Sequence, residues 1–309
     1  MKKISVVIPC YNEELNIEDS YNLLKKIFLD LPNYDYEIIF ADNDSKDNSE
    51  IILRSLASKD DKVKVILNNR NFGVKNSSIN AVLSTSGDAF IILMCDRQDP
   101  YELIPTFIEE WEKGAKVVWG QKKSSKEHWL KYKLRTLYYK IVKKLSYIEQ
   151  YEHVIGYGIY DKSIIEHLKN INTPEIDLRF TLPALGYKPV LIPYEQQVRE
   201  KGKTSYNFFS YFDTALNSLV HSSRVPMKIM TYIGLFFCVI SFIVGVIYFI
   251  YKLFNWDTFS AGIIPIVILF SIFASLQLLF MGIIGEYILA ILEKVHFSKY
   301  VVEKERINF

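Results

Sequence analysis

The chain has 309 residues and a formal net charge of +2, and half of its residues are hydrophobic. So small a net charge gives no argument for nucleic-acid binding, which depends on clustered lysine and arginine. The hydrophobic excess is concentrated near the C-terminus, where residues 229–250 and 261–285 form uncharged runs of 22 and 25 residues.

Each uncharged run is long enough to cross a bilayer. An α-helix rises about 1.5 Å per residue, so about 20 apolar residues span roughly 30 Å of hydrocarbon. A pair of buried core helices is the alternative, but both runs exceed the usual length of a core helix. Basic residues flank the pair on its outer sides, and the connecting residues 251–260 hold one lysine, Lys252. By the positive-inside rule we predict a multi-pass inner-membrane protein, with a transmembrane hairpin at residues 226–292 and both termini in the cytoplasm.

The N-terminal part of the chain alternates predicted strands with predicted helices. Short apolar runs predict strands at residues 4–9, 36–41, 63–67, 89–94, 116–120, 156–160 and 188–193. Helical spacing of apolar residues predicts helices at residues 13–29, 45–56 and 73–83, and one that opens at Pro100. This alternation is typical of an α/β fold with a doubly wound, mostly parallel sheet.

Three further segments lie between the last predicted elements and the C-terminus. Residues 121–128 read as a polar, lysine-rich loop, and residues 129–145 as a basic amphipathic helix. An amphipathic helix within residues 205–225 precedes the first apolar run, and we predict that it lies in the membrane interface. A helix packed against the core is the alternative for that segment. Residues 293–309 read as a cytoplasmic tail.

Polar clusters follow four of the predicted strands, at residues 11–13, 42–47, 71–73 and 96–99. Ligands of open α/β sheets bind at the carboxyl ends of the strands, so these clusters are expected to meet at one edge. Carboxylate and amide oxygens suit a hard cation such as Mg²⁺ or Mn²⁺, which in turn binds phosphates. The pattern predicts a nucleotide site, although an acidic turn alone would explain residues 96–99.

These clusters sit within five short motifs: SVVIPCYNEE at residues 5–14, FADNDSKDNS at 40–49, NFG at 71–73, GD at 87–88 and CDRQDP at 95–100. In this order they resemble family 2 glycosyltransferases of the GT-A fold. With the apolar pair and GIIGEY at residues 282–287, the chain is similar to the polyprenyl-phosphate branch, which includes dolichyl-phosphate mannose synthases and bacterial undecaprenyl-phosphate glucosyltransferases. The resemblance implies a GT-A domain at residues 1–204 and runs from residue 3 to about residue 300.

The resemblance also implies roles for particular residues. Nucleotide binding falls on Pro9, Tyr11, Glu13, Asp42, Asn71 and Gly73. Metal binding falls on Asp96 and Gln98, and the residues implied to act in catalysis are Asp96, Asp99, Arg135, Arg199 and Lys203. The acceptor phosphate is assigned to Lys122, Lys123, Arg135, Arg199 and Lys203. Plain first-turn charge is the alternative for Glu13, and a solvated basic face is the alternative for the lysines.

The sequence departs from the family pattern at two places. Met94 stands where relatives often have an aspartate, and residues 156–160, GYGIY, lack an aspartate sometimes proposed as a catalytic base. The second departure is tolerable, because the second pKa of a phosphate monoester is about 6 and the acceptor is already a dianion at neutral pH. The first departure leaves open a catalytically silent scaffold.

We therefore predict an inverting transfer of one sugar from a nucleotide diphosphate sugar, with UDP preferred, to undecaprenyl phosphate at the cytoplasmic membrane face. The expected partners are that donor, the lipid acceptor, a divalent cation and the membrane; a homo-oligomer stays open. A processive polysaccharide synthase is disfavoured because no tryptophan follows an arginine, as its Gln-x-x-Arg-Trp motif requires. A transferase with another acceptor remains an alternative, but it leaves the hairpin unexplained.

Overall fold

The computed structural model of the chain describes residues 1–124, 151–171, 176–195, 225–254, 263–296 and 301–309. These residues fall into two compact units. The first holds the described residues up to 195 together with residues 301–309, and the second holds residues 225–254 and 263–296.

The first unit is an α/β sheet structure. Its strands are β1 (Lys2–Cys10), β2 (Tyr34–Asp42), β3 (Val63–Asn68), β4 (Ala89–Ile92), β5 (Val117–Ser124), β6 (Val154–Asp161), β7 (Val190–Glu195) and β8 (Glu303–Ile307). Its helices are α1 (Ile17–Leu29), α2 (Ser49–Lys59), α3 (Val74–Leu83), α4 (Ile104–Glu112), α5 (Ser163–Asn170) and α6 (Leu178–Ala184). A short 3₁₀ turn, Tyr101–Leu103, precedes α4.

The sheet order is β7-β5-β6-β4-β1-β2-β3-β8. The pairs β1–β2, β1–β4, β2–β3 and β5–β7 are parallel, whereas β4–β6, β5–β6 and β3–β8 are antiparallel. The predicted parallel sheet is confirmed for the run β4-β1-β2-β3. The antiparallel strand β6 lies between β4 and β5, so the simple strand–helix alternation does not extend to that side of the sheet.

Strand β1 shows why these apolar runs form central strands. Every residue from Ile4 to Cys10 is buried, and successive side chains point to opposite faces. Ile4, Val6 and Ile8 pack in the layer that contains α1, α2 and α4. Val7 packs in the opposite layer, which contains α3, α5 and α6. A strand covered on both faces needs a continuous apolar run rather than an alternating one.

The seven predicted strands are confirmed in existence, and so are the four predicted helices between residues 4 and 112, but several boundaries were wrong. Helix α1 begins at Ile17 rather than at residue 13, and α2 begins at Ser49 rather than at residue 45. The residues that precede each helix instead form loops held by hydrogen bonds across the sheet edge. Strand β5 continues to Ser124, so residues 121–124 are not the loop that their polarity predicted.

A further correction concerns the C-terminus. Residues 293–309 were read only as a tail, yet residues 303–307 form β8, which pairs with β3 at the sheet edge. Its sequence, EKERI, is charged and does not alternate clearly. An edge strand depends on its neighbour for its hydrogen bonds, so its own sequence carries little signal.

The second unit consists of two long helices, α7 (Val225–Phe254) and α8 (Ile263–His296). Among the residues that the structure describes, no helix has the length and apolar character required of a membrane span. The transmembrane hairpin remains a prediction. The predicted amphipathic helices at residues 129–145 and 207–220 lie outside the described residues.

Candidate active site

The first two strands end side by side, and their loops are joined by hydrogen bonds. Cys10 of β1 lies opposite Asp42 of β2, and the amide of Asn43 donates to the carbonyl of Cys10 at 2.9 Å. The amide of Asn12 donates to Ser45 Oγ at 2.9 Å, and the amide of Lys46 donates to Asn12 Oδ1 at 2.7 Å. These reciprocal hydrogen bonds join the loop after β1 to the loop after β2.

Left-handed backbone conformations occur in the loops at this edge. Asn12, Asp44 and Arg97 have φ values of 55°, 63° and 56°, and each lies in a loop that follows a central strand. Non-glycine residues rarely adopt this conformation, and those that do are held by their surroundings and cluster at functional sites. The edge is therefore built to place particular groups rather than merely to connect elements.

Asp42 is the buried carboxylate of this edge. Its side chain is 2% exposed and accepts hydrogen bonds from the amide of Ser45 at 3.1 Å and from Ser45 Oγ at 2.5 Å. Burial raises the pKa of Asp42 above its ordinary value, and the nearby acids Glu50 and Asp47 add to that effect. Of the other residues assigned to the nucleotide, Tyr11 is exposed beside it, and Pro9 is buried in β1.

Glu13, also assigned to the nucleotide, is held within the loop that precedes α1. Its Oε2 accepts a hydrogen bond from Asn16 Nδ2 at 2.5 Å, and its amide donates to Ser49 Oγ at 3.0 Å. Glu13 therefore joins the loop after β1 to the start of α2. This loop role differs from the first-turn helix charge that the alternative interpretation assigned to it, because α1 begins four residues later.

An asparagine network holds the loop that contains Asn71 and Gly73. Asn43 Oδ1 accepts from the amide of Phe72 at 3.0 Å and from Asn68 Nδ2 at 3.1 Å, and Asn43 Nδ2 donates to Asn71 Oδ1 at 2.8 Å. The amide of Gly73 then donates to Asn71 Oδ1 at 2.9 Å. Gly73 has a φ of 82°, which explains the glycine. Asn43 was not assigned to the site from the sequence, although its position directly after Asp42 was a signal.

Asp96 and Asp99 follow β4 on the same edge. Asp96 is half-buried, and its Oδ1 accepts a hydrogen bond from the amide of Gln98 at 3.2 Å. Asp99 is 1% exposed, and its Oδ1 accepts from the hydroxyl of Tyr194 at 2.5 Å. Burial raises the pKa of Asp99, and the negative charge of Asp96 raises it further. The positive charge of Lys122 acts in the opposite direction. The structure thus brings Lys122, assigned from the sequence to the acceptor phosphate, near Asp96 and Asp99, which were assigned to catalysis.

Two tyrosines support Asp99 from the neighbouring strands. The rings of Tyr157 in β6 and Tyr194 in β7 meet edge to face, with centroids 5.5 Å apart, and the hydroxyl of Tyr157 donates to the carbonyl of Pro100. Gly120 lies under both rings, because an added Cβ would lie 2.7 Å from Tyr157 and 2.9 Å from Tyr194. Neither tyrosine was assigned to the site from the sequence, because both lie on strands that are distant from Asp99 along the chain.

A cavity of about 210 Å³ adjoins Asp99. Met94, the first departure from the family pattern, lines it, and so do Gly156 and Tyr157, which begin the second departing segment at residues 156–160. Its polar wall is formed by Lys75, Asp177 and Arg179. Burial acts to raise the pKa of Asp177, but the adjacent guanidinium of Arg179 holds it below its ordinary value.

The donor set fits a divalent cation shared with a diphosphate. Mg²⁺ is usually held through one or two carboxylates, with substrate phosphates and water completing its coordination. Asp96 offers a carboxylate two residues before the carboxamide of Gln98, and both residues are half-buried after the end of β4. Across the described ranges, no group of three or more His, Cys, Asp or Glu side chains forms a metal cluster of its own.

Several residues singled out in the sequence lie elsewhere. Asp88, in the Gly87–Asp88 motif, lies at the opposite end of β4, where its Oδ2 accepts from the amide of Lys3 at 2.9 Å. That motif is structural. Lys123 is exposed at the end of β5. The assigned residues Arg135, Arg199 and Lys203 lie outside the described part of the chain.

Comparison with known proteins defines the class. Residues 5–169 match the family described as glycosyl transferase family 2, and the chain belongs to this family. It is a glycosyltransferase. Its first unit has the GT-A-like α/β fold: it is similar to glucosyl-3-phosphoglycerate synthase from Mycobacterium tuberculosis, with a TM-score of 0.51 and 18% identity over 71% of this chain and 78% of that one.

Relatives over nearly the whole chain are closer in sequence. A bactoprenol glucosyl transferase of Shigella phage SfV is 31% identical over 306 residues, which cover 98% of this chain and 99% of the relative. A prophage bactoprenol glucosyl transferase homolog of Escherichia coli K12 is 30% identical over 304 residues, which cover 98% and 99%.

Proposed function

We propose that this enzyme transfers a single sugar from a nucleotide diphosphate sugar to polyprenyl phosphate, with inversion at the sugar carbon. The observation that carries the proposal is the convergence of Asp42, the Asn43–Asn71 network and the Asp96–Asp99 pair at one sheet edge. The names of the Shigella phage and E. coli relatives support bactoprenol phosphate, a polyprenyl phosphate, as the acceptor.

The donor would lie along this edge from Asp42 to Asp96. Residues 11–13, Asp42 and the loop at residues 71–73 would hold the nucleoside, for which we favour uridine. Asp96 and Gln98 would hold Mg²⁺ or Mn²⁺, which neutralises the diphosphate when bound. The M. tuberculosis structure of similar fold contains Mn²⁺ and UDP, which supports both assignments.

The transfer would be a single in-line displacement. An oxygen of the lipid phosphate forms a bond to the anomeric carbon, and the bond from that carbon to the donor diphosphate breaks with its electron pair on the diphosphate. No base is needed, because a phosphate monoester is largely dianionic at neutral pH. Two anions must meet, so cations are needed near Asp99. We propose that Lys122, whose charge acts on Asp99, supplies one, and Lys123, Arg135, Arg199 and Lys203 are proposed for the same role.

We further propose that α7 and α8 form a membrane hairpin. The two uncharged runs of the sequence support this, and so do the exposed apolar side chains along the helices, among them Leu235, Phe236, Phe270 and Leu278. Exposed apolar surface of this extent marks contact with lipid or another apolar partner. The reaction would then take place at the cytoplasmic face of the inner membrane.

The proposal is tested by turnover of the full-length protein in detergent, with undecaprenyl phosphate, Mg²⁺ and labelled UDP-glucose, UDP-galactose, UDP-N-acetylglucosamine or GDP-mannose. We expect one donor to give a lipid-linked sugar. We expect Asp96→Asn to lower the rate by at least about 100-fold, because it removes charge facing the metal and diphosphate. Asp88→Asn is the matched control, because this aspartate lies at the other end of the sheet.

The rival functions make different predictions in the same assay. A catalytically silent scaffold, which Met94 leaves open, gives no turnover with any donor. A transferase with another acceptor hydrolyses or transfers the sugar equally well without the lipid. Equal rates for Asp96→Asn and Asp88→Asn would also contradict the assignment of the site.

A further inference from the structure

The cavity beside Asp99 has walls of two kinds. One is apolar and includes Ile92, Met94 and Ile155, whereas the other carries Lys75, Asp177 and Arg179. At about 30 Å³ per water molecule, its 210 Å³ correspond to roughly seven waters. That space suits a single sugar ring. Sites for small ligands commonly combine apolar walls with a few placed polar groups.

The polar wall is fixed before any ligand binds. Asp177 Oδ1 accepts from the amide of Arg179 at 3.1 Å and from its Nε at 2.9 Å, and Asp177 Oδ2 accepts from Arg179 Nη2 at 2.6 Å. Lys75 Nζ lies 3.5 Å from the same Oδ2. The Asp177 carboxylate is 15% exposed, and its contacts with both cations hold its orientation.

We infer that this cavity receives the sugar of the donor and that Asp177, oriented by Arg179 and Lys75, is the residue that determines which sugar is accepted. The inference rests on the proposed function and extends it to the donor. A carboxylate accepts hydrogen bonds from sugar hydroxyls, and lysine and arginine donate to their oxygens. The apolar wall faces the C–H surface of the ring. Asp99 joins the cavity to Asp96, where the donor diphosphate is proposed to lie.

This assignment also accounts for the two departures from the family pattern. Met94 supplies apolar wall where a carboxylate is common. Gly156 and Tyr157, at the start of the second departing segment, line the same cavity. Both departures thus shape the sugar cavity, and neither one removes Asp96 or Asp99.

The test measures kcat/KM for protein variants at Asp177 with donors that each lack one sugar hydroxyl. The donor accepted by the wild type is compared with its 2-, 3-, 4- and 6-deoxy forms, with wild type, Asp177→Asn and the control Asp35→Asn. Asp35 is an exposed aspartate paired with Lys62 at 2.7 Å. If Asp177 binds a hydroxyl, removing that hydroxyl lowers kcat/KM at least about tenfold more in the wild type than in Asp177→Asn. Asp35→Asn should behave like the wild type.

Binding provides a readout that does not require turnover. Calorimetry with UDP and with UDP-glucose in the presence of Mg²⁺ should show that Asp177→Asn weakens UDP-glucose at least about tenfold and changes UDP less than twofold. Met94→Phe adds bulk at the apolar wall of the cavity and should give the same pattern. Melting temperatures show whether either variant is misfolded, and Met94→Phe keeps the test open if Asp177→Asn does not fold.

The outcomes separate the two proposals. Equal weakening of UDP and UDP-glucose by both variants, or no weakening of either, overturns the sugar cavity while the transferase stands. Failure of the wild type to transfer any sugar overturns the proposed function. If Asp177→Asn and Met94→Phe both weaken UDP-glucose but not UDP, the cavity binds the sugar, whatever the transfer assay shows.

Discussion

Arg54 of α2 and Glu305 of β8, which lie 251 residues apart in the sequence, are joined by two hydrogen bonds of 3.1 and 2.5 Å. Lys304 adds an ion pair to Glu50 at 3.2 Å, and Asn80 donates to Glu303 at 2.6 Å. The chain therefore returns after α8 to complete the sheet of the first unit. Strand β8 also covers the edge of β3, which would otherwise leave backbone groups unpaired.

Removal of residues 301–309 should weaken both the fold and nucleotide binding. The amide of Asn69 donates to the carbonyl of Val302 at 2.9 Å, two residues before Asn71. Without β8 that bond and the β3–β8 ladder are lost, so we expect a melting temperature lower by several degrees and weaker UDP binding. Thermal unfolding and calorimetry measure the two effects. Glu305→Gln is the control, and it should change little because single exposed ion pairs contribute little. Unchanged UDP affinity in the truncated chain would contradict the coupling.

The buried carboxylate of Glu37 should make the folded enzyme less stable as the pH falls into the acid range. Its carboxylate is 1% exposed, and burial alone would raise its pKa. The ammonium groups of Lys3 and Lys64, 2.8 and 2.9 Å away, and the hydroxyl of Ser5 instead lower the pKa to about 2. A pKa depressed in the folded state gives stability that is present above the unfolded pKa, about 4.5, and is lost as pH falls through about 2.

The corresponding experiment is a melting series of wild type and Glu37→Gln between pH 7 and pH 2. The depressed pKa corresponds to about 3 kcal/mol at neutral pH, so the variant should melt well below the wild type there. The difference in melting temperature between wild type and Glu37→Gln should become smaller below pH 4.5. The control Glu109→Gln alters an exposed ion pair with Lys113 and should follow the wild type. If the difference in melting temperature does not change with pH, the pKa of Glu37 is not depressed in the folded enzyme.

Asn43→Ala should weaken nucleotide binding more than it weakens the fold. Asn43 is 4% exposed, and its amide group bonds Asn68, Asn71 and the amide of Phe72. Leaving such buried partners unpaired costs about 1–3 kcal/mol. If UDP must order the loop at residues 71–73 when it binds, this cost lowers the UDP affinity by about 5- to 150-fold. Calorimetry with UDP measures the change. Asn33→Ala, at an exposed position, serves as the reference variant. A loss of melting temperature with normal UDP affinity would assign Asn43 to stability alone.

Tyr194→Phe should lower turnover by removing the hydroxyl that donates to Asp99. Hydrogen bonds to a charged group contribute about 1.5–3 kcal/mol, so we expect kcat/KM to fall at least about tenfold. Tyr34→Phe is a matched comparison, because Tyr34 donates to the exposed Glu112 at 3.1 Å. It should keep the wild-type rate. Equal kinetics for the two variants would show that Asp99 does not need Tyr194.

The sequence predicted much of the site because its parts are local. Each polar cluster directly follows an apolar run, so the strand that carries it was visible in the chain itself. This is how Asp42, Asn71, Asp96 and Asp99 were found. Asn43, Tyr157, Tyr194 and Asp177 were missed, because their roles depend on hydrogen bonds or walls formed by residues distant in sequence.

Periodicity and turn chemistry in the amino-acid order were enough to determine an α/β domain with strand-end polar loops, since burial on both faces demands continuous apolar runs. The tertiary structure alone decided that β6 enters antiparallel, that β8 closes the edge beside β3, and that Lys75, Asp177 and Arg179 meet around one cavity. These features arise from pairings between distant segments, and such pairings leave no periodic trace in either partner.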